Sequence, residues 1–267
     1  MRLPWGGPYY VAATHLYLAR LTSSCDTVWQ RWTPHLADYR EPTGLAVDRH
    51  GIWALMSDTV YNYYTQRQRS RARLWQFTPT GRLRRSVVLP PRSYPEYPVA
   101  ALPAAGGGCY VSTAGPLGST FPLTNYTVPS LLRFDSTGAQ VWRRNYPGVP
   151  GDARLNVLAP SLRGTLLLAG TAIRTAALDY TPKLIEIETS RGDSVGGAFL
   201  SSPTGPVSEF MSASNQEPFD LLPLTRGRGY ALTTEIEPYN GTTPPLTGAV
   251  VRLDANYRVL WRYQYPQ

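Results

Sequence analysis

Lysine is nearly absent from this sequence, since Lys183 is the only lysine among 26 basic residues and the formal net charge is +8. Arginine therefore carries the positive charge, and its planar guanidinium binds carboxylate, phosphate or sulfate and stacks on aromatic rings. A GC-rich genome would produce the same bias, and surface charge commonly serves solubility. The charge by itself leaves both interpretations open, an anion-binding surface and a solubilising one.

Cysteine and histidine are also scarce. The two cysteines, Cys25 and Cys109, are too few for a disulfide framework and lack the clustered spacing of a zinc site. The three histidines, His15, His35 and His50, are isolated from one another and from the cysteines, so neither a metal cluster nor a Ser/His/Asp set is indicated. We expect no metal, no cofactor and two free thiols.

Long apolar runs are missing as well. Nowhere do about eighteen apolar residues follow one another, so no membrane-spanning helix is expected. The first ten residues, "MRLPWGGPYY", have no positively charged leader followed by an apolar run. We expect a soluble chain that does not insert into a membrane, with any export signal removed or never present.

Helical periodicity is rare, whereas turn formers and aromatics are abundant, with 25 Pro, 23 Gly and 18 Tyr. This composition favours many short strands joined by turns. A chain of 267 residues with 42% hydrophobic residues can fill a sizeable core. The composition predicts an all-β fold.

One strand–turn–strand segment recurs along the chain. The segment "LLRFDSTGAQVWRRNYP" (131–147) aligns with "YLARLTSSCDTVWQRWTP", "RLWQFTPTGRLRRSVVLP", "LIEIETSRGDSVGGAFL" and "VVRLDANYRVLWRYQYP". Equivalent apolar residues stand 56, 57, 53 and 66 residues apart, namely Leu21, Phe77, Phe134, Ile187 and Leu253. Three of the copies carry a tryptophan eight residues later, at Trp29, Trp142 and Trp261. Repetition of this kind indicates a modular fold.

A second hairpin precedes each copy, with a tight turn between two apolar runs, as in "LAVDRHGIWALM" and "LLPLTRGRGYALTT". Each unit therefore holds four antiparallel strands, A to D, and five such units predict a single, monomeric five-bladed β-propeller. The predicted blades are 1–36, 42–91, 97–148, 153–201 and 217–267. Large aromatics on the outer strand, such as Trp142 and Tyr146, are expected to cover the seam with the neighbouring blade.

The D-x-x-G-x-x-x-W pattern of this hairpin resembles the repeat of PQQ-like, quinoprotein-type β-propellers of secreted bacterial proteins. The match is complete in the third unit, with Asp135, Gly138 and Trp142. It is partial in the fifth unit, where Asp254 and Trp261 match and Tyr257 replaces Gly. The adjacent cysteines of quinoprotein dehydrogenases are missing. The resemblance therefore implies the non-catalytic branch of the group, in which the propeller is a platform for partners, and an extracellular, cell-surface or periplasmic location.

Binding residues are expected in the long connections between strands B and C, because long loops on a rigid scaffold commonly carry function. The segment "SDTVYNYYTQRQRSR" (57–71) combines aromatic rings and guanidinium groups, which suit sugars with acidic groups, phosphates or single-stranded nucleic acid. Its alternating arginines would equally suit the solvent side of an extended strand C. The predicted ligand-binding residues are Tyr61, Tyr63, Tyr64, Arg67 and Arg69.

The sequence thus favours a binding or scaffold module for a protein partner or an acidic glycan, without catalytic residues. Nucleic acid is not an expected partner, because no nucleic-acid-binding motif is present and the arginines are spread over all units. The alternative is a carbohydrate-active enzyme, a glycoside hydrolase or lyase, with carboxylates at the central mouth. Its candidate acids are Asp38, Asp152, Asp179, Asp220, Glu235 and Glu237.

Overall fold

The computed structural model of the chain describes residues 9–13, 17–32, 40–62, 67–90, 97–116, 127–146, 153–173, 180–199, 220–225, 228–236 and 247–265. These residues form β-strands joined mainly by tight turns, as the sequence composition predicts. Each of the five sheets is a meander, in which the spatial order of the strands is their order along the chain. Neighbouring strands are antiparallel.

The strands group into sheets at the repeat period of the sequence. In chain order they are β1 (Tyr9–Ala13), β2 (Tyr17–Leu21) and β3 (Thr27–Trp32) in the first sheet; β4 (Arg40–Asp48), β5 (Gly51–Asn62), β6 (Arg67–Phe77) and β7 (Leu83–Val88) in the second; β8 (Tyr97–Ala104), β9 (Gly108–Pro116), β10 (Thr127–Phe134) and β11 (Gln140–Asn145) in the third; β12 (Ala153–Pro160), β13 (Leu166–Ile173), β14 (Tyr180–Ile187) and β15 (Ser194–Phe199) in the fourth; and β16 (Leu221–Pro223), β17 (Tyr230–Ile236), β18 (Thr247–Leu253) and β19 (Val259–Gln264) in the fifth.

Four of the sheets have the predicted four strands, and the first has three among the described residues. Its β1, β2 and β3 correspond to the predicted strands B, C and D. The predicted strand A, at the start of the blade 1–36, lies outside the described residues. The observed first sheet is therefore the predicted unit without a description of its first strand.

Each sheet has two different ends. We call the end that carries the A–B and C–D turns the turn end, and the opposite end, which carries the B–C connections and the links between sheets, the loop end. Strands extend further toward the loop end than the sequence predicted. The predicted loop over 57–71 is wrong in this respect, because β5 and β6 remain paired as far as Asn62 and Arg67.

The recurring D-x-x-G pattern builds the C–D turn. In all five sheets the first turn residue donates its N–H to a backbone carbonyl four or five residues later, at 2.8 to 3.0 Å. In four turns the side chain of that first residue also accepts a hydrogen bond from the backbone N–H of the residue four positions later. Thr22 Oγ1 accepts the Asp26 N–H, for example, and Asp135 Oδ1 accepts the Ala139 N–H. Glu188 does the same for Ser190 and Arg191 in the fourth sheet, where the turn is one residue longer.

Every one of these turns also contains a residue with positive φ, at Cys25, Gly81, Gly138, Gly192 and Tyr257. Glycine adopts this left-handed conformation without steric cost, whereas Cys25 (φ 69°) and Tyr257 (φ 65°) adopt it with a side chain. At Gly81 a Cβ would lie 2.8 Å from the ring of Trp29, so glycine also permits close packing. The Gly of the motif thus serves both the turn and the contact.

The C–D turns are packed by side chains from the outer strand of the preceding sheet. Trp29 on β3 lies on Gly81 and donates its Nε1–H to Pro79 O at 3.2 Å in the second sheet. Tyr146, following β11, donates its hydroxyl to Gly192 O at 2.9 Å in the fourth sheet. Trp142 instead packs at 42° to Tyr110 within its own sheet, with ring centroids 6.0 Å apart. Outer-strand aromatics therefore hold neighbouring sheets together, but not at every equivalent position.

The chain divides into two compact units, Met1–Pro122 with Leu131–Arg143, and Leu123–Ser130 with Arg144–Gln267. The first unit has two apolar clusters, one around Trp53 and Leu74 and one around Ile52 and Phe77. The second unit has a cluster that spans its last two sheets, including Leu167, Leu232 and Leu253. Strand alternation explains these cores, because every second residue of a strand faces the same side of its sheet.

Replacing Cys25 with glycine should stabilise the protein. The side chain is exposed and the residue is left-handed, so the substitution removes a conformational cost of about 1 to 2 kcal/mol and adds an unfolded-state entropy cost of about 0.5 to 1 kcal/mol. We expect a gain of up to about 1 kcal/mol in the free energy of unfolding, measured by denaturant titration. The control is Ser23→Gly, because Ser23 lies in the same turn but does not have a positive φ, and this substitution should lower stability. Equal effects of the two substitutions would contradict the left-handed conformation assigned to Cys25.

The two thiols should differ sharply in reactivity. Both cysteines are free, Cys25 exposed and Cys109 fully buried at 0% exposure, where burial raises the pKa of the Cys109 thiol well above its ordinary value. Titration of the native protein with a thiol-specific reagent should modify Cys25 quickly and Cys109 only after denaturant is added. Rapid modification of both thiols in the native protein would be incompatible with the core that surrounds Cys109.

Candidate functional site

The loop end of the fifth sheet carries an acid whose surroundings are described. Asp220 precedes β16 and is held against β17 by two hydrogen bonds: its N–H donates to Thr233 Oγ1 at 3.0 Å, and its carbonyl accepts the Thr233 N–H at 2.9 Å. The Leu221 N–H donates to Asp220 Oδ1 at 2.9 Å and orients the exposed carboxylate. Asp220 is therefore a fixed acid at an accessible strand end.

Glu235 lies on the neighbouring strand at the same end of this sheet. It is two residues beyond Thr233 on β17 and pairs with Gly248 of β18. The register thus brings two of the predicted acids, Asp220 and Glu235, to one end of adjacent strands. Glu237 follows β17 and lies outside the described residues.

The other predicted acids precede strands in the sequence but fall outside the described residues. Asp152 directly precedes β12, and Asp179 directly precedes β14. Ala153 pairs with Ala172, and Ile173 pairs with Tyr180, so both strand starts lie at the loop end of the fourth sheet. Asp38 lies two residues before β4. Their position in the sequence beside strand starts is all that is established for these acids.

The aromatic and basic segment predicted as a ligand site lies mainly in paired strands. Tyr61 pairs with Gln68, Arg67 with Asn62, and Arg69 with Val60 in the β5–β6 hairpin. Tyr63 and Tyr64 lie outside the described residues. The arginine alternation is therefore that of strand C, and a ligand-binding role for these five residues stays a prediction.

The turn end of the fourth sheet contains a buried acid that the sequence pattern alone did not single out. Glu186, on β14, is 5% exposed. Its Oε1 accepts the Thr165 hydroxyl at 2.6 Å, and its Oε2 accepts Arg163 Nη1 at 3.2 Å. Arg163 continues to the fifth sheet, where its Nη2 donates to Asn256 Oδ1 at 2.8 Å. One buried carboxylate thus anchors a link between two sheets.

Two tyrosines of the fifth sheet complete this Glu186 cluster. Tyr230 is fully buried, and its hydroxyl accepts the Leu162 N–H at 2.9 Å. The Tyr257 ring lies 5.5 Å from the Tyr230 ring and 5.5 Å from the Arg163 guanidinium carbon. Burial raises the pKa of the Tyr257 hydroxyl above its ordinary value, and the nearby Glu186 charge acts in the same direction. The left-handed backbone of Tyr257 is held by this packing.

The Glu186 cluster is organised for stability. A carboxylate that is bound by a guanidinium and a hydroxyl and lies almost out of solvent has no room for a substrate atom. The repeat contained a signal for it, because Glu186 occupies the position before the apolar anchor Ile187, where the other units have Arg20, Gln76, Arg133 and Arg252. Gln76 also reaches the next sheet, by donating to Ser136 O at 3.4 Å. At this repeat position Arg252 and Arg133 instead contact Arg228 and Tyr110 of their own sheets, so the residue type alone does not predict a link between sheets.

Side-chain clustering gives no sign of a metal site in the described part of the chain. There, no three His, Cys, Asp or Glu side chains come together in a group that could hold a metal ion. Within the same residues, no helix has the length and apolar character needed to cross a membrane.

No protein-family model matches this sequence, and the curated proteins contain no match to it. Solved structures do match. An α-L-arabinofuranosidase from Lactobacillus brevis has a TM-score of 0.54 at 10% identity, over 97% of this chain and 91% of that chain. A family-43 β-xylosidase/α-arabinofuranosidase from a compost microbial metagenome has a TM-score of 0.50 at 10% identity, over 81% and 74%. A member of the DUF4221 family from Bacteroides vulgatus has a TM-score of 0.50 at 12% identity, over 100% and 80%.

These likenesses confirm the predicted fold class, an all-β chain of five blade sheets of the five-bladed β-propeller type. They also correct the functional prediction. The interpretation as a non-catalytic binding or scaffold module is wrong, because the structures that share this fold are mostly glycoside hydrolases, which favours the carbohydrate-active alternative. The resemblance to PQQ-like repeats, the single-domain boundaries and the extracytoplasmic location stay predictions.

Breaking the Glu186 cluster should cost more stability than breaking an exposed ion pair. Arg163→Met leaves a nearly buried carboxylate without its cation, and we expect a loss of about 1 to 3 kcal/mol in the free energy of unfolding. Adding Glu186→Gln to this variant should recover part of the loss, because it removes the uncompensated charge. Denaturant unfolding of the single and double variants measures the coupling.

The matched control is Arg144→Met, which removes the exposed pair between Arg144 Nε and Asp193 Oδ1 at 3.3 Å. Pairs of this kind contribute about 0 to 1 kcal/mol. A cost of Arg163→Met no larger than that of Arg144→Met would show that the Glu186 cluster is not a stabilising link.

Proposed function

We propose that this protein is a glycoside hydrolase that acts on pentose-containing glycans. The observation that carries the proposal is the extent of the likeness to an α-L-arabinofuranosidase, which includes 97% of this chain and 91% of the enzyme. A second matching structure is that of a β-xylosidase/α-arabinofuranosidase in complex with xylotriose. Because a fold can host several functions, the residues at the loop end must also support the chemistry.

Hydrolysis of a glycosidic bond needs two carboxyl groups with different roles. One protonates the departing oxygen, and the other activates water or attacks the sugar carbon, with separations of roughly 5 to 9.5 Å between the two groups. The predicted acids provide several carboxylates at strand ends of one kind. Among them, Asp220 and Glu235 belong to neighbouring strands of one sheet.

Strand register supports these two as the leading pair. Asp220 is held opposite Thr233, and Glu235 is two residues farther along β17. Diagonal neighbours of this kind on paired strands are roughly 7 to 8 Å apart. The fixed backbone of Asp220 would keep one carboxylate in place while a sugar binds between the two acids. We assign Asp220 and Glu235 as the catalytic candidates, with Asp38, Asp152, Asp179 and Glu237 as further acids that stand beside strands in the sequence.

The test is hydrolysis of aryl α-L-arabinofuranoside and aryl β-D-xyloside by the purified protein. We expect release of the aryl alcohol with a bell-shaped pH dependence, since one carboxyl must be protonated and the other ionised. Asp220→Asn and Glu235→Gln should each lower kcat by about a hundredfold or more, with melting temperatures close to that of the unmodified protein.

The matched control is Glu188→Gln, which changes an acid in a C–D turn at the opposite end of a sheet and should retain activity. Absence of hydrolysis of both substrates by the unmodified protein would contradict the proposed substrate class. Full activity of both Asp220→Asn and Glu235→Gln would contradict the assignment of the pair.

A further inference from the structure

A groove of about 480 Å³ lies beside the C–D turn of the second sheet, and neither Asp220 nor Glu235 is among its lining residues. Arg31 and Trp32, at the end of β3, line it together with Arg82, within the β6–β7 turn. The buried Phe77 also lines it. No carboxylate is among the lining residues. The groove therefore combines positive charge with an aromatic ring.

The repeat shows that arginine stands here in the place of the aspartate of an ion pair found elsewhere in the chain. Arg31 and Arg144 are equivalent, since each is ten residues after the apolar anchor of its unit. Arg82 and Asp193 are also equivalent, because each carbonyl accepts the N–H of the first residue of its C–D turn. Arg144 of the third sheet pairs with Asp193 of the fourth sheet, with 3.3 Å between Nε and Oδ1. The equivalent residues of the first and second sheets are Arg31 and Arg82, which are both cationic.

Two arginines at the positions of an ion pair create a site for an anion. An exposed arginine pair is repulsive unless an external carboxylate or another anion replaces the missing aspartate. Guanidinium groups bind carboxylates through two parallel hydrogen bonds, which favours a carboxylate over a halide ion. The charge at this groove thus specifies an anionic ligand.

Trp32 supplies the second feature of the site. It is 66% exposed, and its ring lies 4.7 Å from that of Tyr17 at an angle of 53°. Tyr17 in turn donates its hydroxyl to Gln30 Oε1 at 2.7 Å, which fixes the ring that supports Trp32. The repeat does not require an aromatic residue here, since the same cross-strand position holds Val88 in the second sheet and Gln264 in the fifth. A supported, exposed indole face is suited to stacking against a flat ligand face.

We propose that this groove is an accessory binding site for an anionic oligosaccharide that contains uronic acid. The carboxylate of one uronic acid residue lies between Arg31 and Arg82, in the place that Asp193 occupies in the fourth sheet, and the apolar face of a neighbouring sugar ring stacks on Trp32. The choice of a sugar rests on the proposed glycoside hydrolase function, whereas the choice of a carboxylate rests on the two arginines. Neither of the candidate acids Asp220 and Glu235 is among the residues that line this site.

The experiment is isothermal titration of the purified protein with tetragalacturonic acid, with neutral xylotetraose and with citrate as comparison ligands. We expect tetragalacturonic acid to bind, its affinity to fall as salt concentration rises, and xylotetraose and citrate to bind at least about tenfold more weakly at this site. Trp32→Ala should lower the affinity for tetragalacturonic acid by at least about tenfold. Trp261→Ala, at another tryptophan that is 50% exposed, is the matched control and should leave it unchanged.

Arg82→Asp gives the sharpest test, because it restores the Arg–Asp combination found at Arg144 and Asp193. It should abolish binding of tetragalacturonic acid while the melting temperature is maintained or raised. Binding by Asp220→Asn equal to that of the unmodified protein would separate this site from the proposed catalytic one. The inference is overturned if tetragalacturonic acid does not bind, if citrate binds as tightly, or if Trp32→Ala and Arg82→Asp bind it like the unmodified protein, whatever the outcome of the hydrolysis assay.

Discussion

The structure depends on one recurring contact, the packing of the C–D turns of the second, third and fourth sheets against the outer strand of the preceding sheet. The turn must be tight and must contain a left-handed residue so that its backbone can approach a neighbouring side chain closely. At Gly81 this neighbour is Trp29, and at Gly138 it is Val87 together with Arg85. Because such contacts join one sheet to the next, the geometry of the C–D turn influences how neighbouring repeat units pack against each other.

Because of this packing, side chains at the two ends of a sheet have different roles. At the turn end, side chains are committed to links between sheets, and the buried carboxylate of Glu186 with its partners Arg163 and Thr165 is an extreme case. At the loop end, strand ends such as that of Asp220 are fixed by backbone pairing while the carboxylate stays exposed. An acid can therefore be structural or a candidate for chemistry depending on the end of the sheet at which it lies.

Departures from the repeat carry information that the repeat itself does not. Tyr257 stands where glycine is usual, and its ring packs on Tyr230 and Arg163. Arg82 stands where another unit has Asp193, and the surface beside it carries the exposed Trp32. In the first case the substitution is compensated by packing within the protein. In the second the charge is uncompensated among the lining residues, which is why a ligand is the natural partner.

The sequence by itself determined the fold class, because hairpin periodicity, turn chemistry and the spacing of Leu21, Phe77, Phe134, Ile187 and Leu253 are local properties repeated five times. It also placed the candidate acids beside strand ends, since strand order fixes the end at which a residue emerges. Only the tertiary structure decided that Tyr61, Arg67 and Arg69 belong to a continuing hairpin, because the extent of pairing depends on the partner strand. It alone revealed that Glu186 is buried with Arg163 and that Arg31 and Arg82 line the same groove, because those pairs come from different hairpins and are brought together by the packing of sheets.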